Sequence, residues 1–541
     1  MIPMTESRSH SGGFFWVMGT YNDNPLLKTT NGGKLRERRS GVRRRDLDRV
    51  RDLGVLDLTA DSDSTAVLQP WEEGNGAVDV SRNFEIPRVT FRPRRGLVII
   101  PVTMIVAGSV FLHKTALGAF SPGESWMLGV WAISLTFVLS QIILAWFQRP
   151  FTVTDAQRAK LDRLAVAAVI PCYNEDPAIL DRTIYALFAQ TRAPDWVIVV
   201  DDGSTANYTD VRARWQAYPS TTEFMWIRQH NQGKKHAQAA AFRAVPSADI
   251  YATMDSDSAL EQRAIEEGLK PFASRDVTSV AGLEMAYNLR TNILTRAMGL
   301  RSLAFQLFAM SAQSVAGGNV VINPGAFSLY RGWLIHQSLP AYLEETFFGV
   351  PVTLGDDTAL SMFSLLHGRA VHQPTAVSMP VYPETLSHHL RQWTRWMRAS
   401  TIRTLWRIRY LRLRSYAWWF VVYQQYAFFA SAAVSLAVPF AWPATRNLVF
   451  ASCLALVAWP LAVALRLVTV SRSDQRWPSW LASTALLPFA ALWYLLVLRQ
   501  IRFYGMATCH RQGWITRKKV EVTLAGSPAP HAPAAEVLVY E

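Results

Sequence analysis

The sequence predicts an α/β domain with a mostly parallel sheet, inserted between apolar segments able to cross a membrane. Three observations carry this. Between about 160 and 375, short apolar runs alternate with amphipathic helical stretches, the pattern of a sheet covered by helices. On either side lie apolar segments near the roughly 20 residues that a bilayer crossing needs. Three acidic clusters, Asp201-Asp202, Asp255-Ser256-Asp257 and Gly355-Asp356-Asp357, are placed at the ends of those strands, where open α/β sheets bind ligands.

Composition allows this and excludes some function classes. At 541 residues, half of them apolar and with 20 Trp, the chain can hold two or three domains and still give surface to lipid. Its formal charge of +14 would suit nucleic acid, anionic lipid or phosphorylated substrates. Much of that excess lies in 34–51, outside any apolar block, so a nucleic-acid partner is not expected. Three cysteines in unrelated segments do not suggest a disulfide framework. The opening residues are polar, and the apolar run 14–18 is too short for a signal peptide.

In chain order, residues 1–85 are polar, rich in Arg and without periodicity, and are expected to form a disordered basic tail. Residues 86–150 read as a transmembrane hairpin (about 97–120 and 126–147). Arg residues flank its outer ends, which places the N-terminus and the following domain in the cytoplasm. A catalytic domain is expected over 151–385, with a buried strand at 164–170, a helix at 178–189, strands at 196–200 and 249–254 and a helix at 234–244. Residues 386–415, with Arg398, Arg403, Arg407, Arg409, Arg412 and Arg414, read as amphipathic and interfacial. Further membrane segments follow over 416–500 (about 416–440, 448–470, and 480–498 as dipping or spanning). A basic exit then leads to a cytoplasmic C-terminus. The end of the chain, 521–541, reads as a disordered tail.

The motifs point to chemistry on a nucleotide-activated donor. On an extended backbone residues i and i+2 share a side, so Asp255 and Asp257 could hold one Mg²⁺ or Mn²⁺ whose other ligands are phosphate oxygens and water. Tyr173 and Glu175 follow the first strand, where a base could be held. Lys234 and Lys235 open a helix, whose N-terminus also favours phosphate. Asp357, with Asp356 beside it, could remove a proton from an acceptor sugar hydroxyl. Arg395 would meet the charge on the leaving diphosphate, and Trp396 would stack on the acceptor ring. The plain alternatives are helix capping for Asp356 and Asp357, and anchoring at the bilayer interface for Arg395 and Trp396.

Taken in order, Asp201-Asp202-Gly203, Asp255-Ser256-Asp257, Gly355-Asp356-Asp357 and Gln392-x-x-Arg395-Trp396 resemble the membrane-embedded processive family-2 glycosyltransferases, over about residues 95–520. The resemblance implies a GT-A catalytic domain, UDP-sugar donors, a growing polysaccharide acceptor and a divalent cation. It also implies that Asp201, Asp202 and Gln392 join the residues above in binding the UDP-sugar. The segment Phe503-Tyr504-Gly505-Met506-Ala507-Thr508, followed by Trp514-x-Thr516-Arg517, is similar to the tail of bacterial hyaluronan synthases. There a W-G-T-R loop closes over the nucleotide, which implies that role for Trp514, Thr516 and Arg517. Ile515 stands where that loop has glycine, and Asn323-Pro324-Gly325-Ala326 where the family has a Ser-Gly-Pro-like acceptor motif. The expected product is hyaluronan from UDP-GlcNAc and UDP-GlcA. Alternatives are a chitin-like or poly-GlcNAc product, non-processive lipid glycosylation, and a transporter with a nucleotide-sensing domain, which the lack of a G-x-x-x-x-G-K-[ST] loop disfavours.

Overall fold

Apolar, β-branched runs bounded by turn residues become the strands of one central sheet. In the computed structural model, which describes residues 84–116, 126–437 and 460–512, the sheet comprises β1 (Val166–Cys172), β2 (Trp196–Asp201), β3 (Glu223–Arg228), β4 (Ile250–Thr253), β5 (Ala259–Leu260), β6 (Val277–Glu284), β7 (Ser328–Arg331) and β8 (Arg369–Met379). Their spatial order is β3-β2-β1-β4-β7-β6-β8-β5. Half of the sheet meets the expectation: β1 pairs in parallel with β2 and β4, and β2 in parallel with β3. The other half is mixed, because β7 runs antiparallel to both β4 and β6, and β5 antiparallel to β8. Apolar alternation marks which runs are buried and carries no information on their direction.

The period of two along each strand divides the core into two layers. Val166, Ala168 and Ile170 of β1 pack with Val197 and Val199 against Leu180, Ile184 and Leu187 of α1 (Pro177–Phe188). Ala167, Val169, Ile198 and Val200 face Ala237, Ala241 and Phe242 of α2 (Lys234–Ala244) on the other side. α1 starts where it does because Asp176 accepts from the amides of Ala178 and Ile179, with Pro177 in the first turn. Two further helices complete the site: α3 (Asp356–His367) and the 25-residue α4 (Leu386–Tyr410).

Helices occupy Ile99–Ala116, Trp126–Phe147 and Tyr416–Ala437, over three of the expected membrane segments. Most of the expected segment 448–470 lies outside the described residues, as do nearly all of the N-terminal tail and the whole C-terminal tail. Val470–Arg472 instead forms a short antiparallel ribbon with Val89–Phe91. The stretch expected to dip or span belongs to a helical run of 31 residues, Trp477–Ala507; among the described residues it alone is long and apolar enough to cross a membrane. Large apolar side chains point outward from these helices: Ile133 is 68% exposed and Phe489 70%.

The basic face of α4 is not simply laid on an interface. Arg403 and Arg407 are buried: Arg403 forms a bidentate pair with Glu345 at 2.6 Å on each arm, and Arg407 donates to the Val321 carbonyl. Spacing alone cannot separate a helix that covers a domain from one that rests on lipid.

Candidate active site

The site forms where β1, β2 and β4 end and where α3 meets α4. Gly355 makes that meeting possible. Its φ of 74° lies in the left-handed region, and an added Cβ would stand 2.9 Å from Ala399 Cβ on α4 and 2.7 Å from Thr358 Oγ1. Asp356 and Asp357 therefore begin α3 directly against the helix that carries Gln392 and Arg395.

Lys234 is the hub of the acidic clusters. Its ammonium donates to Asp255 Oδ1 at 2.6 Å and lies 2.9 Å from Asp356 Oδ2. Burial alone would lower this lysine, but the carboxylates of Asp255, Asp356 and Asp357 outweigh it and hold the ammonium well above its ordinary value. Burial would likewise raise Asp356; Lys234 and a hydrogen bond from Gln238 Nε2 (3.1 Å) hold it below the usual carboxylate range instead. Asp357 is left without that cation at hydrogen-bonding distance. Burial first, and the Asp356 charge second, push it up to about 7. Two adjacent carboxyls thus have different protonation at neutral pH, the arrangement that suits one of them to proton transfer.

Asp255-Ser256-Asp257 lies in a turn beyond Thr253, the last residue of β4, so the expected extended geometry does not apply. The turn is clamped from α1 and from the loop after β1. Arg182 donates to the Asp257 carbonyl at 2.8 Å, Thr183 to the Ser256 carbonyl at 2.9 Å, and Ser256 to Glu175 Oε2 at 2.9 Å. Glu175 is buried and serves this clamp; Tyr173, two residues earlier, is half-buried. Among the described residues no cluster of three or more His, Cys, Asp or Glu could hold a metal unaided. Two carboxylates fit a hard cation that draws its remaining oxygens from a nucleotide's phosphates.

The other expected residues divide by position. Asp201 accepts from the Ser204 amide at 2.9 Å, and Asp202 accepts from the amides of Gln232 (2.9 Å) and Gly233 (2.8 Å) and from Gln229 Nε2 (2.7 Å). Asp202 thereby shapes the loop that presents Lys234. Lys235, expected to face phosphate, is buried and bound to Glu345 and to the Val352 carbonyl (2.8 Å). One helical step of about 100° turns it away from its neighbour. Gln392 and Arg395 line one cleft with Glu175 and Asp257, whereas Trp396 does not line it and is 47% exposed, edge-on to Trp393 at 5.7 Å. Trp514, Thr516 and Arg517 lie outside the described residues. The Asn323–Ala326 segment abuts the hub, for a Cβ on Gly325 would stand 3.2 Å from Asp255 Oδ2 and 3.4 Å from Lys234 Nζ.

Sequence reasoning missed Gln238, Glu345 and Glu284, and read Arg403 only as an interfacial cation. Glu284 ends β6, accepts from Tyr382 Oη at 2.5 Å, and is raised to about 7, chiefly by burial and further by Asp255 and Asp357. A single acid at the end of an apolar strand carries no motif that would single it out.

Residues 163–399, which hold every site residue described above except Arg403, Trp514, Thr516 and Arg517, match the family described as Glycosyltransferase like family 2. The chain is a glycosyltransferase with a family-2 domain. More particularly, it is 29% identical over 439 residues to a hyaluronan synthase of Streptococcus pyogenes, covering 79% of this chain and 99% of that one. It is 30% identical over 259 residues to an N-acetylglucosaminyltransferase of Azorhizobium caulinodans, covering 46% of this chain and 64% of that one. A mannosyltransferase from Pyrobaculum calidifontis in complex with GDP-Man and Mn²⁺ aligns with a TM-score of 0.43 at 18% identity, over 73% of this chain and 99% of that chain.

Proposed function

We propose that this glycosyltransferase is a membrane-embedded processive synthase that builds hyaluronan from UDP-GlcNAc and UDP-GlcA, with inversion at each transfer, and passes the chain across the membrane. One observation carries the reading: α3, which opens with Asp356 and Asp357, packs against α4, and α4, which carries Gln392 and Arg395, is docked against a long apolar helix. Trp393, next to Gln392, donates from Nε1 to the Leu498 carbonyl at 3.2 Å. The outward apolar side chains on the flanking helices support a membrane setting, with the catalytic domain and both termini on the cytoplasmic side.

In this mechanism Asp357 accepts the proton of an acceptor hydroxyl while that oxygen attacks the donor's anomeric carbon. The new glycosidic bond forms as the bond from that carbon to the β-phosphate oxygen breaks, and UDP leaves with the electron pair. Asp255 and Asp257 would hold Mg²⁺ or Mn²⁺, which supplies positive charge to the diphosphate. Arg395 adds charge on the same side, and Lys234 holds Asp255 and Asp356 in place. Gln512 accepts from the amides of Thr353 (3.2 Å) and Leu354 (3.3 Å), tying the approach to Trp514, Thr516 and Arg517 to the loop before Gly355. That tether supports those three residues as a closing loop over the nucleotide.

Purified protein in detergent, given Mn²⁺ or Mg²⁺ and both donors, should release UDP and yield a hyaluronidase-sensitive polymer. UDP release from UDP-GlcNAc alone, with a product that resists hyaluronidase, would transfer the assignment to a chitin-like or poly-GlcNAc synthase. The likeness to an N-acetylglucosaminyltransferase favours that second reading.

A further inference from the structure

We infer that the hairpin 346–351 is a docking surface for this chain's own residues 514–519, and that docking there holds them beside the nucleotide site. Thr346–Phe347 pairs antiparallel with Val350–Pro351 across the two-residue turn Phe348-Gly349. Both turn residues have positive φ, 49° at Phe348 and 77° at Gly349, as a tight type I′ hairpin requires. Asn, Asp or Gly ordinarily takes the first of these positions. A phenylalanine there is strained, and such strain is kept where the side chain has a use. That side chain is 69% exposed, with its ring edge-on to Phe347 at 4.5 Å. Val350 is exposed as well and, directly opposite Phe347, lies on the same face. The fold thus gathers apolar side chains at one tip, against both backbone preference and hydropathy.

The occupant follows from where the described chain ends. Gln512 Oε1 accepts from the amides of Thr353 (3.2 Å) and Leu354 (3.3 Å), just beyond the second strand of the hairpin. Ile515 is three residues past that tether and Val350 three residues before Thr353, and three extended residues reach about 10 Å, so the two can meet. Ile515 stands where the similar loop has glycine, which gives this chain an additional apolar side chain to set against Phe348 and Val350. The basic run Arg517-Lys518-Lys519 then suits the aromatic faces and Glu344, which is exposed two residues before the hairpin. A bilayer suits this tip less well. Its base is fixed through Glu345 to the buried Arg403, whereas Leu405 and Ile408, on the other side of α4, are exposed. Leu354 adjoins Gly355, so residues docked on the hairpin border the start of α3 with Asp356 and Asp357.

The docking goes beyond the synthase reading; only its coupling to UDP rests on that reading, and the test separates the two. Full-length enzyme in detergent carrying Val350→Cys and Ile515→Cys, with Cys509→Ser, is oxidised with copper(II) phenanthroline, and linked peptides are identified by mass spectrometry. A disulfide should join positions 350 and 515 within one molecule and form faster when UDP and Mn²⁺ are present. The control pair Ala217→Cys with Ile515→Cys, exposed elsewhere on the domain, should stay unlinked. Phe348→Asn removes the ring but supplies a residue suited to positive φ, so Tm should hold or rise. UDP should nevertheless bind about five-fold more weakly, the order of one aromatic contact, because a contact that UDP favours must favour UDP in return. Phe348→Tyr should bind UDP as the wild type does. No link, a link only between two copies, or unaltered UDP affinity in Phe348→Asn overturns the inference. UDP release from paired donors by the wild type, measured alongside, decides the synthase reading separately: a link in an enzyme that makes no polymer keeps the docking and removes that reading.

Discussion

Asp356 and Asp357 are neighbours in sequence with opposite electrostatic fates, because Lys234 pairs with only the first. Asp357→Asn should lower UDP release about 10²- to 10⁴-fold, the usual contribution of a positioned base. UDP binding should survive, as isothermal titration would show. A base must be deprotonated to act, and Asp357 is raised to about 7, so activity should climb as pH rises through about 7. Its effect on stability has the opposite sign. A carboxyl whose folded value is raised favours the fold at pH below its ordinary 3.8 and gives that up as pH rises toward 7. Asp356→Asn removes a like charge from Asp357 and frees Lys234 to attract it, so the rising limb of the pH–rate profile should move to lower pH. Chelation with EDTA should abolish UDP release and added Mn²⁺ should restore it. In Asp257→Asn the Mn²⁺ needed for half-maximal rate should rise at least several-fold.

At the scale of elements, the site depends on how closely α3 approaches α4. Gly355→Ala adds a methyl where φ is 74° and Ala399 Cβ would be 2.9 Å away. A cost of roughly 1–3 kcal/mol is expected from strain and overpacking together, read as a lower Tm in detergent along with slower UDP release. A second tie lies deeper: Glu345 holds both Arg403 of α4 and Lys235 of α2. Glu345→Gln leaves two buried cations without their carboxylate and should cost about 3–5 kcal/mol. The triple replacement Lys235→Met, Glu345→Leu, Arg403→Met should recover most of the lost Tm, because apolar side chains can fill that space without a desolvation penalty. Failure of the triple variant to recover would mean that the pairing itself orients the helices.

At the scale of the molecule, the catalytic domain and the long helix Trp477–Ala507 are joined through α4. A Cβ on Gly505 would meet Met397 Cβ at 2.7 Å, and Arg398 Nε donates to Thr508 Oγ1 at 3.1 Å. Gly505→Leu should force the helix away from α4 and abolish polymer formation; a variant that still makes full-length product would show that the docking is dispensable. If the outward apolar helices face lipid, the protein should stay in the membrane fraction after a high-pH carbonate wash. Removal of residues 1–83 should leave UDP release intact, because every residue proposed for the site lies at Tyr173 or beyond.

The sequence by itself determined the alternation of strands and helices, the apolar segments around them, and the acidic and Gln-x-x-Arg-Trp clusters, since each is written within a few residues as period, turn chemistry or spacing. It did not determine which charges are spent on structure. Lys234 and Lys235 are equivalent on paper, and only the packing of α2 against the loop around Glu345 turns one into the site and the other into the core. Direction was equally hidden: nothing local in 328–331 specifies that β7 runs against β4. Glu284 and Gln238 acquire meaning only from partners many residues away, so the tertiary structure alone decided them. The physical reason is that hydrophobic patterning is a local property of a chain, whereas the field acting on a charge is set by whatever the fold brings beside it.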